Sequence, residues 1–201
     1  IGIKADLILG IPRGGVVVAA EIARDLNLPL DIVATRKIGA PGQEELALGA
    51  VDPDGEVVWD EGLLKQFNPP AGGLKLKIEE AKEEIRRREK LYRGDRGSQG
   101  VGGKIVILVD DGIATGATIV AAINFLRRHK ATKIIVAAPV ASKEAIAGIA
   151  GELGEAGEMV VLETPEYFAA VGQFYQEFEA VTDEEVVQLI ESSSSSGRKK
   201  P

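Results

Sequence analysis

Short runs that are almost entirely apolar recur along this chain, and they constrain its fold more than any other feature of the sequence. They lie at residues 6–11, 30–35, 105–109 and 134–140, with a shorter fifth run at 160–162. Strands without polar alternation are typical of a parallel sheet that is covered by helices on both faces. Helical patterns follow the first, third and fourth runs, at residues 16–26, 116–128 and 143–153. This alternation predicts a doubly wound α/β fold, with a mainly parallel sheet and flanking helices.

A second pattern interrupts the alternation between the second and third runs. Two short apolar segments, residues 46–51 and 56–59, flank the turn sequence DPDG and predict a hairpin. A long helix is predicted next, over residues 74–93, where glutamates and arginines pair four residues apart. The predicted organisation is a single domain at 1–191, with an insertion at about 46–103, a small C-terminal hood at about 157–191 and a disordered low-complexity tail at 192–201.

The composition limits the chemistry available to this chain. It has no Cys and one His in 201 residues, which excludes thiol catalysis, disulfides and metal sites rich in Cys or His. The net charge is −7, and residues 144–191 hold twelve acidic residues and no Lys or Arg, so we expect no nucleic-acid partner. No apolar run would span a membrane and no signal peptide is evident, so we expect a cytoplasmic protein with no membrane partner. The scarcity of Asn, Gln, Met and Cys, together with the Glu, Lys and Arg residues of the long helix, favours a thermophilic source or an idealised sequence.

The most informative stretch is residues 105–118, IVILVDDGIATGAT. The predicted strand ends in Asp110 and Asp111, which places two carboxylates at the carboxyl edge of the sheet, where such folds bind ligands. Two acids repel a phosphate, so they point to a ligand that also offers sugar hydroxyls or a bound Mg²⁺. The structural alternative, a capped helix after a strand that happens to end in acids, accounts for Thr115 but not for the acid pair.

The turn after the acid pair has the composition of a phosphate site. It consists of small and hydroxyl-bearing residues around Ile113, namely Gly112, Ala114, Thr115, Gly116, Ala117 and Thr118. Backbone N–H groups at the start of a helix carry partial positive charge and bind phosphate. The two hydroxyls add donors, and Gly116 lets the backbone approach a ligand closely. We therefore predict that this turn cradles a phosphate.

Cationic residues follow the first two predicted strands. In GIPRGG, Arg13 precedes Gly14 and Gly15, which combines a fixed cation with an open backbone and suits either an anion or a simple Pro-Gly turn. Arg36 and Lys37 suggest a polyphosphate clamp, with solvated surface charge as the alternative. Three strand ends therefore bring anion-binding or sugar-binding groups to one crevice.

Residues 105–118 resemble the phosphoribosyl pyrophosphate (PRPP) signature of the type I phosphoribosyltransferases, which has a hydrophobic strand, two acids and a Thr/Gly-rich loop in this order. GIPRGG resembles the pyrophosphate loop of that family, and Arg36-Lys37 resembles the step before its flexible loop. A narrower resemblance, to a bacterial and archaeal branch of predicted phosphoribosyltransferases, rests on the combination of IPRGG, RKIGAPG, the helix end REKLYRGDR and VDDGIATGAT. The resemblance covers about residues 6–140.

The resemblance implies the type I phosphoribosyltransferase fold and a pentosyltransferase of nucleotide metabolism. Such enzymes transfer the 5-phosphoribosyl group of PRPP to a nitrogen nucleophile, usually a nucleobase, with Mg²⁺ and with release of pyrophosphate. Asp110 and Asp111 would hold the ribose hydroxyls or the metal of Mg-PRPP, and residues 114–118 would bind the 5-phosphate. Gly112 would belong to the same ribose and phosphate site. The residues implied to face pyrophosphate are Arg13, Gly14, Gly15, Arg36 and Lys37. Family analogy further implies a homodimer.

Less specific candidates surround this site. The resemblance makes residues 39–49 a mobile loop in which Glu44 or Glu45 serves in proton transfer or metal contact, with solvated loop acids as the alternative. The hypoxanthine-guanine members carry an Asp where Ala114 stands, so their handling of the purine proton is not expected here. The aromatic residues of the hood, among them Phe168 and Tyr175, either stack a planar base or form a small satellite core.

Two other functions are compatible with the same residues. A non-catalytic PRPP-binding regulatory protein would bind Mg-PRPP and turn over no acceptor. A phosphatase or hydrolase that uses the acid pair would release phosphate from PRPP or sugar phosphates without an acceptor. The products formed from PRPP, with and without an acceptor, distinguish the transferase from these two alternatives.

Overall fold

The computed structural model describes residues 4–196, except for the side chains of Glu45 and of residues 194–196. Its elements in chain order are β1 (Leu7–Gly10), α1 (Gly14–Leu26), β2 (Leu30–Ile32), β3 (Arg36–Ala40), β4 (Gln43–Val51), β5 (Val57–Trp59), α2 (Glu61–Phe67), α3 (Ala71–Arg93), β6 (Ile105–Val109), α4 (Ala117–Arg128), β7 (Lys133–Val140), α5 (Lys143–Leu153), β8 (Glu158–Glu163), a 3₁₀ helix (Val171–Phe174) and α6 (Asp183–Ser196). Within residues 4–196, no helix is both long and apolar enough to cross a membrane.

The central sheet is parallel and has the strand order β2-β1-β6-β7-β8. The chain runs from β1 to β2 on one side and resumes with β6 on the other, so the connections after β1 and β6 leave the sheet in opposite directions. Ligands of open α/β sheets bind at this switch point, outside the carboxyl ends of the strands. The segments after Gly10 and Val109, which lie opposite each other in the sheet, therefore flank the crevice.

Alternate residues of the strands pack on opposite faces of the sheet, which is how a run of apolar residues becomes buried throughout. Leu9 packs with Ile123 of α4 and Ile149 of α5 in one core cluster. Ile8 packs with Ile85 of α3 in the cluster on the other face, together with residues of α1 and α6. Both faces are thus covered by helices, and the predicted doubly wound α/β fold is confirmed.

A second, antiparallel sheet with the order β3-β4-β5 lies between α3 and α4. The predicted hairpin is present, but the antiparallel segment begins at Arg36, ten residues earlier than the predicted insertion. Residues 39–49, predicted as a mobile loop, form the β3–β4 hairpin instead, with Ala40 opposite Gln43. Gly42 adopts a φ of 73° in the two-residue connection, a conformation that favours glycine and allows the tight turn.

Charged side chains fix this hairpin sheet to the end of α4. Arg128 donates to Asp52 and, at 3.1 Å, to Asp54. His129 Nε2 lies 3.1 Å from the Asp54 carboxylate. Asp52 Oδ1 also accepts the backbone N–H groups of Asp54 and Glu56, which shapes the β4–β5 turn. His129, the only histidine of the chain, therefore has a structural role at the end of α4 and lies away from the carboxyl edge of the sheet.

The C-terminal region differs from the predicted hood and tail. The β8 strand pairs with β7 in the central sheet, so residues 158–163 belong to the sheet rather than to a hood. Helix α6 packs against α1 and α3, where Val186 and Ile190 are buried. The prediction of a tail from residue 192 is wrong for residues 192–196, because α6 continues through the serines to Ser196. Residues 197–201 of the predicted tail lie outside the described residues.

Ion pairs on the charged face of α3 make part of the stability of the fold depend on pH. Glu84 accepts from Arg87 at 2.7 Å and from Arg88 at 2.6 Å. These hydrogen bonds, that from Arg87 first, lower the pKa of Glu84 from 4.5 to about 2. Because the pKa is depressed in the folded state, the stabilisation is fully present above pH 4.5 and is lost as the pH falls toward 2.

We therefore expect Glu84→Gln to lower the free energy of unfolding by about 1 kcal/mol at pH 7. The difference from the parent chain should shrink steadily below pH 4.5. Urea unfolding at a series of pH values measures it, with the exposed neighbour Glu83→Gln as the matched control. A Glu84→Gln penalty that is the same at pH 3 and pH 7 would contradict this assignment.

Candidate active site

The acid pair lies directly after β6, at the switch point of the sheet. The Asp110 N–H donates to the Ala137 carbonyl at 3.2 Å, which continues the β6–β7 ladder by one residue. The Asp111 N–H donates to Asp110 Oδ1 at 3.0 Å. Both residues are half-buried at the edge of the crevice. The backbone is thereby fixed so that two carboxylates stand together at the carboxyl edge.

The protein only partly compensates the charge of this pair. Burial raises the pKa of Asp110 well above its ordinary value, and the charge of Asp111 raises it further. Burial also raises the pKa of the Asp111 carboxyl. The charge of Lys37 opposes both shifts and lowers the pKa of each carboxyl. Such carboxylates gain from hydroxyl donors or from a cation that a ligand supplies.

Gly14 and Gly15, the first two residues of α1, bring the start of this helix into contact with the acid pair. A Cβ built on Gly14 would lie 1.9 Å from Asp111 Oδ2. A Cβ on Gly15 would lie 2.8 Å from the Val109 carbonyl oxygen and 2.9 Å from Asp110 Cα. Side chains at these positions have no room, so the two glycines allow the backbone of one strand end to lie against the acids of the next.

Ser142, which directly precedes α5, fixes the backbone of the predicted phosphate-binding turn. Ser142 Oγ donates to the Ala114 carbonyl at 2.7 Å, and the Ser142 N–H donates to the Ile113 carbonyl at 2.9 Å. Gly116 precedes α4 with a φ of 81°, and no side chain caps that helix. The N–H groups of its first turn therefore stay available for an anion. Ser142, which the sequence analysis missed, had no motif to mark it, because its contact joins residues 28 positions apart.

The predicted pyrophosphate residues occupy two different places. The Arg13 guanidinium lies 3.8 Å from Asp183 at the start of α6. Arg36 and Lys37 are exposed at the start of β3, so their predicted position at the end of the second strand is wrong: β2 ends at Ile32. They line a cavity of about 420 Å³ between the hairpin and α3.

The Glu44 carboxylate belongs to the same cavity but is already paired. Lys77 Nζ lies 2.7 Å from Glu44 Oε1 and also donates to the Gly39 carbonyl at 3.0 Å. Lys77 thus fastens both strands of the hairpin to α3. Glu45 follows Glu44 in β4, and its predicted role concerns a side chain outside the described part of the chain.

The aromatic segment after β8 covers the acid loop. The Tyr175 hydroxyl donates to the Asp111 carbonyl at 2.5 Å. Burial and the charges of Asp111 and Asp110 raise the pKa of Tyr175 to about 12, so the phenol stays protonated as a donor. The Val171 side chain lies over Gly112, where a Cβ would approach it to 2.4 Å. The rings pair as Phe168–Phe174 and Tyr175–Phe178, each 5.1 Å between centroids.

Comparison with known proteins agrees with this arrangement. The family model "Phosphoribosyl transferase domain" matches residues 1–149. Two Mycobacterium tuberculosis proteins, from strains CDC 1551 and H37Rv and both named "Putative phosphoribosyl transferase", are 40% identical to the chain over 188 residues. The alignment covers 94% of the chain and 42% of each relative, so the chain spans less than half their length.

A solved structure extends the likeness over nearly the whole chain. The crystal structure of the protein TT1426 from Thermus thermophilus has a TM-score of 0.74 and 41% sequence identity, and the match covers 94% of this chain and 88% of that one. The parallel sheet, the acid pair at its switch point and these matches define a single class. The chain belongs to the phosphoribosyl transferase family.

Proposed function

We propose that the chain binds Mg-PRPP in the crevice and transfers its 5-phosphoribosyl group to a nitrogen nucleophile, a nucleobase, with release of pyrophosphate. The observation that carries this proposal is the contact of Gly14 and Gly15 with the acid pair beside the uncapped start of α4. It brings together the acids proposed to bind the ribose, the turn proposed to bind the 5-phosphate and the backbone that follows Arg13.

Each element has a defined task in this reaction. Asp110 and Asp111 accept hydrogen bonds from the ribose hydroxyls, and the turn at residues 112–118 binds the 5-phosphate. Arg13 and Lys37 offset the charge that develops on the departing pyrophosphate. The nitrogen lone pair forms the new bond to C1 as the C1–O bond breaks, and the bonding electrons leave with pyrophosphate. A proton acceptor, distinct from the nucleobase itself, takes up the proton that the attacking nitrogen loses.

The residues present fit a magnesium ion that arrives with its substrate. Among residues 4–196 there is no cluster of three or more His, Asp or Glu side chains that would hold a metal alone. Mg²⁺ is commonly held by one or two carboxylates together with substrate oxygens and water, and the incompletely compensated Asp110–Asp111 pair supplies such carboxylates. When bound, the ion neutralises charge on the pyrophosphate.

The experiment measures pyrophosphate release from Mg-PRPP across a panel of nucleobases, with mass detection of the nucleotide. Release with a base, together with the matching nucleotide, supports the proposal. Binding of Mg-PRPP without turnover of any base would replace it with a PRPP-binding regulatory protein. Phosphate release from PRPP in the absence of an acceptor would replace it with a hydrolase.

Tyr175 provides a further test of the acid loop's environment. We expect Tyr175→Phe to weaken Mg-PRPP binding about fivefold, because the hydrogen bond to the Asp111 carbonyl is worth about 1 kcal/mol. Isothermal titration calorimetry measures the change. Tyr167→Phe is the matched control, since that side chain is 82% exposed in the same segment. Equal affinities of the Tyr175→Phe and Tyr167→Phe variants would show that the hydroxyl does not support the loop.

A further inference from the structure

Three side chains, two from α3 and one from the loop after β1, converge on Asp183, the first residue of α6. The Tyr92 hydroxyl donates to Asp183 Oδ1 at 2.5 Å, and Arg87 donates to Oδ2 at 2.9 Å. Arg13, on the loop after β1, lies 3.8 Å from Oδ1. The Asp183 side chain is 21% exposed, whereas that of Arg13 is 38% exposed. One carboxylate thus connects the C-terminal helix, the long helix α3 and the loop that contacts the acid pair.

The proposed transfer gives Tyr92 and Arg87 no part, so this cluster requires its own explanation. Tyr92 is a buried residue of α3, and its hydrogen bond fixes the Asp183 carboxylate. Hydrogen bonds from Tyr92 and then Arg87 lower the pKa of Asp183, so the carboxylate is ionised at neutral pH. A fixed negative charge therefore stands beside Arg13, the cation adjacent to Gly14.

We propose that Asp183 is a positioning residue for the pyrophosphate site, which holds the Arg13 guanidinium ready for the leaving group. This inference rests on the proposed function. It adds a C-terminal residue, 34 positions beyond the end of the family match, to the determinants of pyrophosphate affinity.

The geometry explains how Asp183 can orient the Arg13 guanidinium and still leave part of it free to bind a ligand. The close hydrogen bonds of the carboxylate go to Tyr92 and Arg87, and the Arg13 contact is the longest of the three. A guanidinium has five N–H donors, so a single loose ion pair leaves donors free for a phosphate oxygen. An unrestrained arginine would lose rotamer freedom when it bound pyrophosphate, whereas a pre-oriented one has lost part of it already.

The backbone at Arg13 is fixed by contacts that do not involve Asp183. Gly14 lies against Asp111, and the Arg13 carbonyl accepts the Val16 N–H at 3.1 Å at the start of α1. With its backbone anchored, the remaining freedom of Arg13 is that of its side chain, which is the part Asp183 restrains. Loss of the Asp183 charge should therefore have a larger effect on the affinity for pyrophosphate than on the stability of the fold.

A double-mutant cycle tests this coupling. Binding of inorganic pyrophosphate with Mg²⁺ is measured by calorimetry for the parent chain, Asp183→Asn, Arg13→Ala and the double variant. The amide keeps an oxygen for Tyr92 but removes the charge. We expect Asp183→Asn to weaken binding about five- to tenfold in the parent background and to have no effect in the Arg13→Ala background. The control Asp54→Asn also removes an arginine-paired carboxylate, at the far end of α4, and should bind as the parent does.

The outcomes are distinguishable. If Asp183→Asn lowers the melting temperature but binds pyrophosphate within twofold of the parent, Asp183 only fastens α6 to α3 and the inference is wrong. An equal loss in both backgrounds would also overturn it, because the effect would not pass through Arg13. If Asp183→Asn does not fold, Asp183→Glu moves the charge by one methylene and must show the same dependence on Arg13. Failure of the parent chain to bind pyrophosphate or PRPP would instead overturn the proposed function.

Discussion

Asp111→Asn is expected to reduce pyrophosphate release from Mg-PRPP by about 10²–10³-fold, while the protein remains folded. A group placed to stabilise the reacting charge or sugar contributes on this scale in enzymes. The substitution preserves shape but replaces a carboxylate oxygen with an amide group, which donates hydrogen bonds and does not coordinate Mg²⁺ as a carboxylate does. Steady-state kinetics with the accepted base measures the loss.

The same substitution should not destabilise the fold. The acid pair is partly buried and mutually repulsive, as the raised pKa of Asp110 reflects, so removal of one charge relieves a cost. We expect an unchanged or higher melting temperature, where each gain of about 1 kcal/mol corresponds to about 2–4 °C. Asp25→Asn, an exposed acid on α1, is the charge-matched control and should change neither property. A marked fall in melting temperature for Asp111→Asn would indicate a structural role instead.

Gly14→Ala is expected to combine a large functional loss with destabilisation. The added methyl group would lie 1.9 Å from Asp111 Oδ2, which forces the loop and the acid pair apart. Displacement of catalytic groups by about 1 Å costs about 10²-fold in rate. Overpacking at a tight contact costs about 1–3 kcal/mol. Kinetics and thermal unfolding measured on the same preparation separate the two effects.

A second glycine supplies the control for this substitution. Gly148 is exposed within α5, and a Cβ there would meet nothing within 4 Å. Gly148→Ala should therefore leave activity unchanged and stabilise the chain by about 0.5–1 kcal/mol through helix propensity. If Gly14→Ala behaved like Gly148→Ala, the close approach of the loop to Asp111 would not be needed for the reaction.

The parts of the fold that follow from local pattern were predictable. The strand ending in Asp110 and Asp111, the glycine-rich turns and the flanking helices each depend on residues that are neighbours in the sequence. The sheet edge then brings them together, because the carboxyl ends of parallel strands lie on one side. The placement of the acid pair and of Gly14 and Gly15 at one edge of the sheet therefore required no long-range information beyond the fold class.

The parts that depend on distant contacts were not predictable. Residues 39–49 have the glycines of a loop, yet their pairing with β5 and packing on α3 make them a hairpin. The serines of α6 have weak helical preference, and the helix is anchored upstream by Val186 and Ile190. Asp183, Ser142 and Val171 enter the account through contacts across 28 or more positions. A single sequence carries no sign of such pairs.

Direct titration of Mg-PRPP into the purified chain tests most directly whether the segments that follow β1 and β6 form one PRPP site. We expect saturable binding at one site per chain, dependent on Mg²⁺ and strongly weakened in the Asp111→Asn variant. The absence of binding to the folded parent chain, or equal binding by parent and variant, would contradict it.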